Sequence, residues 1–242
     1  MLIVQKFGGS SLASVDRLRM AAQKAAALHK HGHKVVMVVS AQGDTTDTLL
    51  KKAGQIAAIP DARELDALLA TGEQQSAALM AMMLHSLDIP VVSLCGWQAG
   101  LLTDDGYGNA GLTGLHGDRI LRELNRGRVV VVAGFQGLSP VGDVTTLGRG
   151  GSDTTAVALA AWLGADRCLI YTDVDGVYDK DPRKYENAVR YDRIGYDEML
   201  SLARSGAKVL HDRCVELAKK HGVVITVLSS FREGGGTVVE GV

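Results

Sequence analysis

The segment Leu2–Phe7 reads LIVQKF, stops at Gly8-Gly9-Ser10-Ser11, and is followed by VDRLRMAAQKAAALHKH over residues 15–31 and by VVMVV over residues 35–39. A six-residue, mostly apolar run ended by two glycines has the length of a buried strand. Val15, Leu18, Ala22, Ala25 and Leu28 then recur at helical spacing, which predicts a helix closed by Gly32 as its C-terminal cap. The next run is apolar without alternation, as in a strand covered on both faces. Strand, helix and strand in this order set the theme for the whole chain.

Outward from this unit the alternation continues. After the polar loop 40–47, helices are predicted at about 48–57 and 62–69, and Thr71-Gly72-Glu73 opens a third, rich in Ala, Met and Leu, that ends before Pro90. Further strands are expected at 91–94, 129–133, 168–171, 224–228 and 237–239, and further helices at 116–125, 153–163, 196–204 and 212–221. The glycine-rich segment 96–114 reads as a hairpin or flap, and 137–146 as a short hairpin. The predicted architecture is α/β, a mainly parallel sheet with helices on both faces, in one domain of two lobes. In such sheets ligands gather beyond the carboxyl ends of the strands.

Composition narrows the function. Lys and Arg total 26 against 27 Asp and Glu, a net charge of −1, so a nucleic-acid partner is not expected. No apolar stretch approaches the length of about 20 residues that crosses a bilayer, so a soluble, cytoplasmic protein without membrane contact is expected. Cys95, Cys168 and Cys214 are far apart and form no CxxC pair, which reads as buried thiols in a reducing compartment. His29, His31 and His33 alternate near a helix end, where a solvated, dipole-compatible terminus is the simpler account than a metal site. No protein metal ligand is assigned.

Four loops after strands carry unusual chemistry. In Lys6-Phe7-Gly8-Gly9-Ser10-Ser11 a lysine precedes two glycines and two hydroxyls, which suits phosphate oxygens approached by backbone N–H groups but is not a Walker A loop. Gly148-Arg149-Gly150-Gly151-Ser152-Asp153 is a second glycine loop entering a helix, with Arg149 offering a planar fork to a carboxylate; Ser152 or Asp153 could equally be an N-cap. Thr172, Asp173, Tyr178, Asp181 and Arg183 cluster after a buried strand, either around a nucleotide or as a plain connection. Lys208 follows Gly206, a place where a lysine is more often solvated.

In this order, and across nearly the whole chain, KFGGSS (6–11), SAQGDTTDTLL (40–50), ATGE (70–73), VTTLGRGGSDTTA (144–156), YTDVDGVYDKDPR (171–183) and GAKVLH (206–211) resemble the aspartokinase branch of the amino-acid kinase family. The resemblance implies an open αβα sandwich with an amino-acid lobe over about 1–140 and a nucleotide lobe over about 141–242. It implies transfer of the ATP γ-phosphoryl group to the side-chain carboxylate of L-aspartate, giving 4-phospho-L-aspartate and ADP, the first step toward lysine, threonine and methionine. It assigns Lys6, Gly8, Gly9 and Ser10 to the phosphates, with Lys208 reaching the nucleotide and Asp153 orienting Lys6. Ser40, Thr46, Glu73, Arg149, Gly150, Gly151 and Ser152 would form the aspartate site, with Arg149 on the α-carboxylate and Glu73 on the α-ammonium. Thr172, Asp173, Tyr178, Asp181 and Arg183 would surround ATP, which is used with Mg²⁺, and a homodimer is expected.

Two departures stand out. Asn109-Ala110-Gly111-Leu112 lacks an arginine that family members often carry there, and Asp179-Lys180-Asp181 replaces a less charged pattern. The sequence stops where the kinase domain should finish, before the C-terminal ACT domains usual in aspartokinases, which are lacking either by nature or by truncation, and inhibition by lysine and threonine is not expected. A relative acting on glutamate, acetylglutamate or a nucleoside monophosphate is the nearest rival. A non-catalytic binding protein on the same fold would lose the phosphate lysines, and this chain has them.

Overall fold

A computed structural model describes residues 1–182, 184–206 and 209–241, and all structural statements below concern those residues. Its centre is an eight-stranded sheet. The strands β1 (Leu2–Phe7), β2 (Lys34–Val39), β3 (Val91–Leu94), β6 (Val129–Ala133), β9 (Arg167–Thr172), β10 (Arg193–Gly195), β11 (Ile225–Ser229) and β12 (Thr237–Glu240) lie in the order β10-β12-β11-β9-β1-β2-β6-β3. Every ladder is parallel except β11–β12. A second layer of β4 (Leu101–Thr103), β5 (Leu112–Leu115), β7 (Gln136–Leu138) and β8 (Val144–Thr146) is ordered β5-β4-β7-β8 and contains both expected hairpins.

Alternation within the central strands shows why both faces must be covered. Val36 and Val38 of β2, and Val130 and Val132 of β6, enter one apolar cluster, while Val35, Met37 and Val39, and Val129, Val131 and Ala133, enter another. The first cluster is roofed by α4 (Asp118–Asn125), α5 (Gly151–Leu163), α6 (Tyr196–Arg204) and α7 (Asp212–His221), the second by α1 (Val15–Lys30) and α3 (Ala62–His85). The remaining helix, α2 (Thr45–Ile56), lies against α3. Unbroken valine runs are therefore two interleaved core surfaces.

Several expectations are corrected. Residues 62–85 form one 24-residue helix, so Thr71-Gly72-Glu73 opens nothing and Glu73 lies in mid-helix. Burial of Leu69, Ala70, Glu73, Ser76, Ala77, Met80, Ala81 and Leu84 gives one continuous inward stripe, and that packing overrides a cap-like Thr-Gly-Glu. α2 begins at Thr45, placing Thr46 in its first turn and outside the predicted loop. The first glycine loop enters a four-residue 3₁₀ turn, Gly9–Leu12, before Ser14 caps α1. The three-residue strand β10 was not anticipated.

Candidate active site

Register delivers the loops. Phe7 stands beside Val39 and Tyr171, Val39 beside Ala133, and Tyr171 beside Leu228, so the residues following five parallel strands emerge along one carboxyl edge. Lys6 lies at the end of β1 on the same side as Val4, the face roofed by α5. α5 carries Asp153 in its first turn. The Lys6 Nζ meets Asp153 Oδ1 at 2.6 Å, and the two side chains are 11 % and 13 % exposed. A pair so shielded holds its geometry by mutual need, since removing either partner strands the other charge.

This pair sits in a cavity of about 670 Å³ whose wall also includes Ser40, Thr46, Asp66, Glu73, Phe135, Arg149, Gly150, Gly151 and Ser152. Every residue expected on the aspartate side thus lines one hollow. Glu73 is buried, and its Oε1 accepts the Ala41 N–H at 2.9 Å while Oε2 has no partner among the described residues. Burial pushes its carboxyl up to about 7, against the lesser downward pull of the Ala41 amide. Across the hollow Arg149 is exposed and has no carboxylate partner among the described residues. A buried acid short of a donor and an unpaired guanidinium form a dipolar socket for a group that is cationic at one end and anionic at the other.

The glycine loop is shaped by α7. Gly150 caps α5 with φ +72°, and a Cβ there would lie 2.3 Å from the Cβ of His211, so only glycine fits. Ser152 and Asp153 are first-turn residues, not caps, and Ser152 is buried against Gly134. At the first loop, Gly9 O accepts from Gly43 N at 3.1 Å, tying it to the loop after β2. A Cβ on Gly8 would stand 3.4 Å from Lys6 Nζ. Ser10 is exposed and its carbonyl accepts from Arg17, whereas the buried Ser11 bonds Ser230 at 2.6 Å.

The residues expected around a nucleotide lie beyond the neighbouring strands. Thr172 ends β9 and donates to Asp173 Oδ1 at 3.1 Å. Asp173 and Tyr178, with Ser229, Phe231 and Arg232, line a hollow of about 400 Å³. Tyr178 and Asp181, with Lys180, Lys184, Ser205 and Gly206, line another of about 640 Å³. Tyr178 belongs to both and donates to Asp175 Oδ1 at 2.8 Å. Arg183 and Lys208 lie outside the described residues.

Asp66 and Arg213 escaped the sequence reading. Asp66 is fully buried on α3, where Oδ2 accepts the N–H groups of Gly108 and Thr146 and Oδ1 accepts the Thr146 hydroxyl. Its only sequence signal is an acid on the inward stripe of a helix. Arg213 sends three hydrogen bonds to residues 109, 110 and 147, supplying a guanidinium to a segment that has none of its own. Cys168 and Cys214 are buried free thiols, and burial raises both, Cys168 to about 12. No helix among the described residues is long and apolar enough to cross a membrane.

At the carboxyl edge of the sheet a lysine near the end of β1 is thus paired to an acid in the first turn of α5, directly after a glycine loop. The amino acid kinase family model matches residues 1–229, and the chain belongs to that family. Over 239 residues, 99 % of its length, it is 52 % identical to an aspartokinase of Bacillus sp. (strain MGA3), and it spans 58 % of that relative. It superposes on aspartate kinase from Synechocystis with a TM-score of 0.89 at 46 % identity, covering 100 % of this chain and 40 % of that one. Against E. coli aspartokinase III in complex with aspartate and ADP the TM-score is 0.90 at 28 % identity, with 100 % of this chain and 65 % of that one covered. The chain is thus little more than half as long as the curated relatives it matches.

Proposed function

We propose that this chain is the catalytic part of an aspartate kinase, moving the γ-phosphoryl group of ATP to the side-chain carboxylate of L-aspartate. The observation that carries the proposal is the single cavity uniting Lys6–Asp153, Arg149 and Glu73. Likeness to an aspartokinase crystallised with aspartate and ADP supports it.

The nucleophile is a carboxylate with an ordinary pKa of about 3.9, already ionised at neutral pH, so no general base is required. Charge is the obstacle, because an anion must approach a polyanion. Lys6 would lie against the transferring phosphoryl group, kept in position by Asp153, and the backbone N–H groups opening α5 would add donors fixed before reaction. Arg149 would grip the α-carboxylate and Glu73 the α-ammonium, leaving the side-chain carboxylate directed at phosphorus. Glutamate, one methylene longer, would misplace its attacking oxygen. Ser40, Thr46 and Ser152 would complete the amino-acid contacts, and Thr172, Asp173, Tyr178 and Asp181 those to the nucleotide.

Mg²⁺ would neutralise phosphate charge as the nucleotide's own counter-ion. Such an ion would be held mainly by phosphate and water oxygens. A cytoplasmic homodimer is the assembly and location we propose; sedimentation and cell fractionation check these.

Hydroxylamine trapping tests the activity. The full-length protein with ATP, Mg²⁺ and L-aspartate should yield aspartyl hydroxamate. Lys6→Ala should lower that rate at least about a hundredfold, the scale of removing one preorganised charge donor. No hydroxamate from the unaltered protein, or a preference for glutamate or a nucleoside monophosphate in a substrate panel, overturns the proposal.

A further inference from the structure

Arg213 lies on α7, outside the amino-acid cavity, yet its guanidinium touches both structures that close that cavity. Nη1 donates to Asn109 Oδ1 at 2.7 Å and to the Leu147 carbonyl at 2.7 Å, and Nη2 donates to the Ala110 carbonyl at 2.8 Å. Asn109 and Ala110 belong to the flap between β4 and β5, whereas Leu147 precedes Gly148 and Arg149. Flap and glycine loop are separated by more than 30 residues in sequence, and one planar fork fixes them against each other.

The surroundings show that this clasp sets a spacing. A Cβ at Gly148 would stand 2.7 Å from Asn109 Oδ1 and 3.1 Å from the Gly108 carbonyl, so flap and loop already touch at their closest approach. The flap is also held by Asp66, which accepts the Gly108 N–H at 2.9 Å, and by the Ala110 N–H, which donates to the Thr146 carbonyl at 2.9 Å. His211, two residues before Arg213, packs beneath Gly150. The first residues of α7 thus form a platform under residues 147–150, and Arg149 rides on that platform with its own side chain unpaired among the described residues.

We propose that Arg213 is a positioning residue of the amino-acid acceptor site: by holding the Leu147 carbonyl and the flap in one plane it fixes where Arg149 presents its guanidinium to the acceptor's carboxylate. Arg213 touches neither substrate. Its effect falls on the acceptor and not on the nucleotide, whose hollows are lined by other residues. Lysine cannot replace it, because an ammonium lacks the flat fork that serves three acceptors on two segments. The proposal rests on the amino-acid acceptor reading of the cavity.

The test compares unaltered full-length protein, Arg213→Met, Arg213→Lys and Asn109→Ala by steady-state kinetics in both substrates. Arg213→Met should raise KM for aspartate about tenfold or more, with KM for ATP within about twofold, as expected when an orienting contact is displaced by a fraction of an ångström. Arg213→Lys should recover little of this. Asn109→Ala removes only one acceptor, so it folds if any variant does; it should shift KM for aspartate in the same direction by a smaller factor. Combined with Arg213→Met it should add nothing, because both act through one contact. Equal changes in both KM values, an unchanged KM for aspartate in Asn109→Ala and Arg213→Met, or additive effects overturn the proposal. Failure of the unaltered protein to phosphorylate aspartate instead overturns the acceptor reading, so the two failures are distinguishable.

Discussion

Glu73 shows what it costs to bury a single carboxyl with one oxygen left unpartnered among the described residues. Its carboxyl is raised from 4.5 to about 7 by burial, so the folded chain holds that proton more tightly than the unfolded chain does. The stability linked to Glu73 is therefore fullest below the ordinary carboxylate range and is lost as pH rises toward 7, by about 3 kcal/mol in all. Glu73→Gln keeps the acceptor for the Ala41 N–H and removes the charge. Urea denaturation should find the variant more stable at pH 8 by up to about 3 kcal/mol, with the advantage shrinking toward pH 5. The same variant should bind aspartate poorly, because an amide offers no charge to an ammonium. In the unaltered protein, KM for aspartate should climb as pH falls below about 7, by up to about tenfold per unit, as Glu73 takes up its proton. Asp153→Asn should lower kcat by about a hundredfold, since Lys6 then loses the partner that aims it; a smaller change in kcat than in KM for ATP would contradict that role.

Among the elements, α5 and its glycine entrance carry the clearest prediction. Gly150→Ala meets both a left-handed backbone and the His211 ring, so it should destabilise by about 2 kcal/mol or more and impair acceptor binding. Gly164, at the other end of the same helix, has φ +64° and open space around it. There alanine should cost only about 1 kcal/mol and leave kinetics unchanged. Thermal denaturation of the two variants, side by side, separates backbone strain from collision. The same elements show what the sequence made legible. Strands such as Val129–Ala133 were readable because burial on both faces leaves only apolar residues. Helix α3 was misread because Thr71-Gly72-Glu73 imitates a start signal, and only the continuous inward stripe, a tertiary fact, runs the helix through it. β10 was missed because three residues hold no periodicity. Arg213 was missed because its partners lie about 65 to 105 positions away, beyond any local pattern.

Across the whole molecule, strand pairing marks where stability should be greatest. β1, β2, β6 and β9 are each paired on both sides, whereas β10 has three residues and one neighbour. Amide exchange should be slowest in those four strands and faster in β10 and in the small β5-β4-β7-β8 layer. Slower exchange in β10 than in β1 would contradict this grading. With a net charge of only −1, the chain has no general field to gather a triphosphate, so nucleotide affinity should depend on a few local cations and fall only modestly with added salt.

The strict partition of β1 side chains between the two sheet faces has one more consequence. Lys6 reaches Asp153 only because Val4 and Lys6 look toward α5 while Ile3 and Phe7 look the other way. Were β1 to thread one position out of step, Phe7 would face Asp153 and the ammonium would be driven among α1's alanines. Such a chain would keep its helices and lose the Lys6–Asp153 pair. The Lys6–Asp153 pair is therefore a check on strand alignment, formed only when β1 has found its register between β2 and β9, two strands that follow it in the chain.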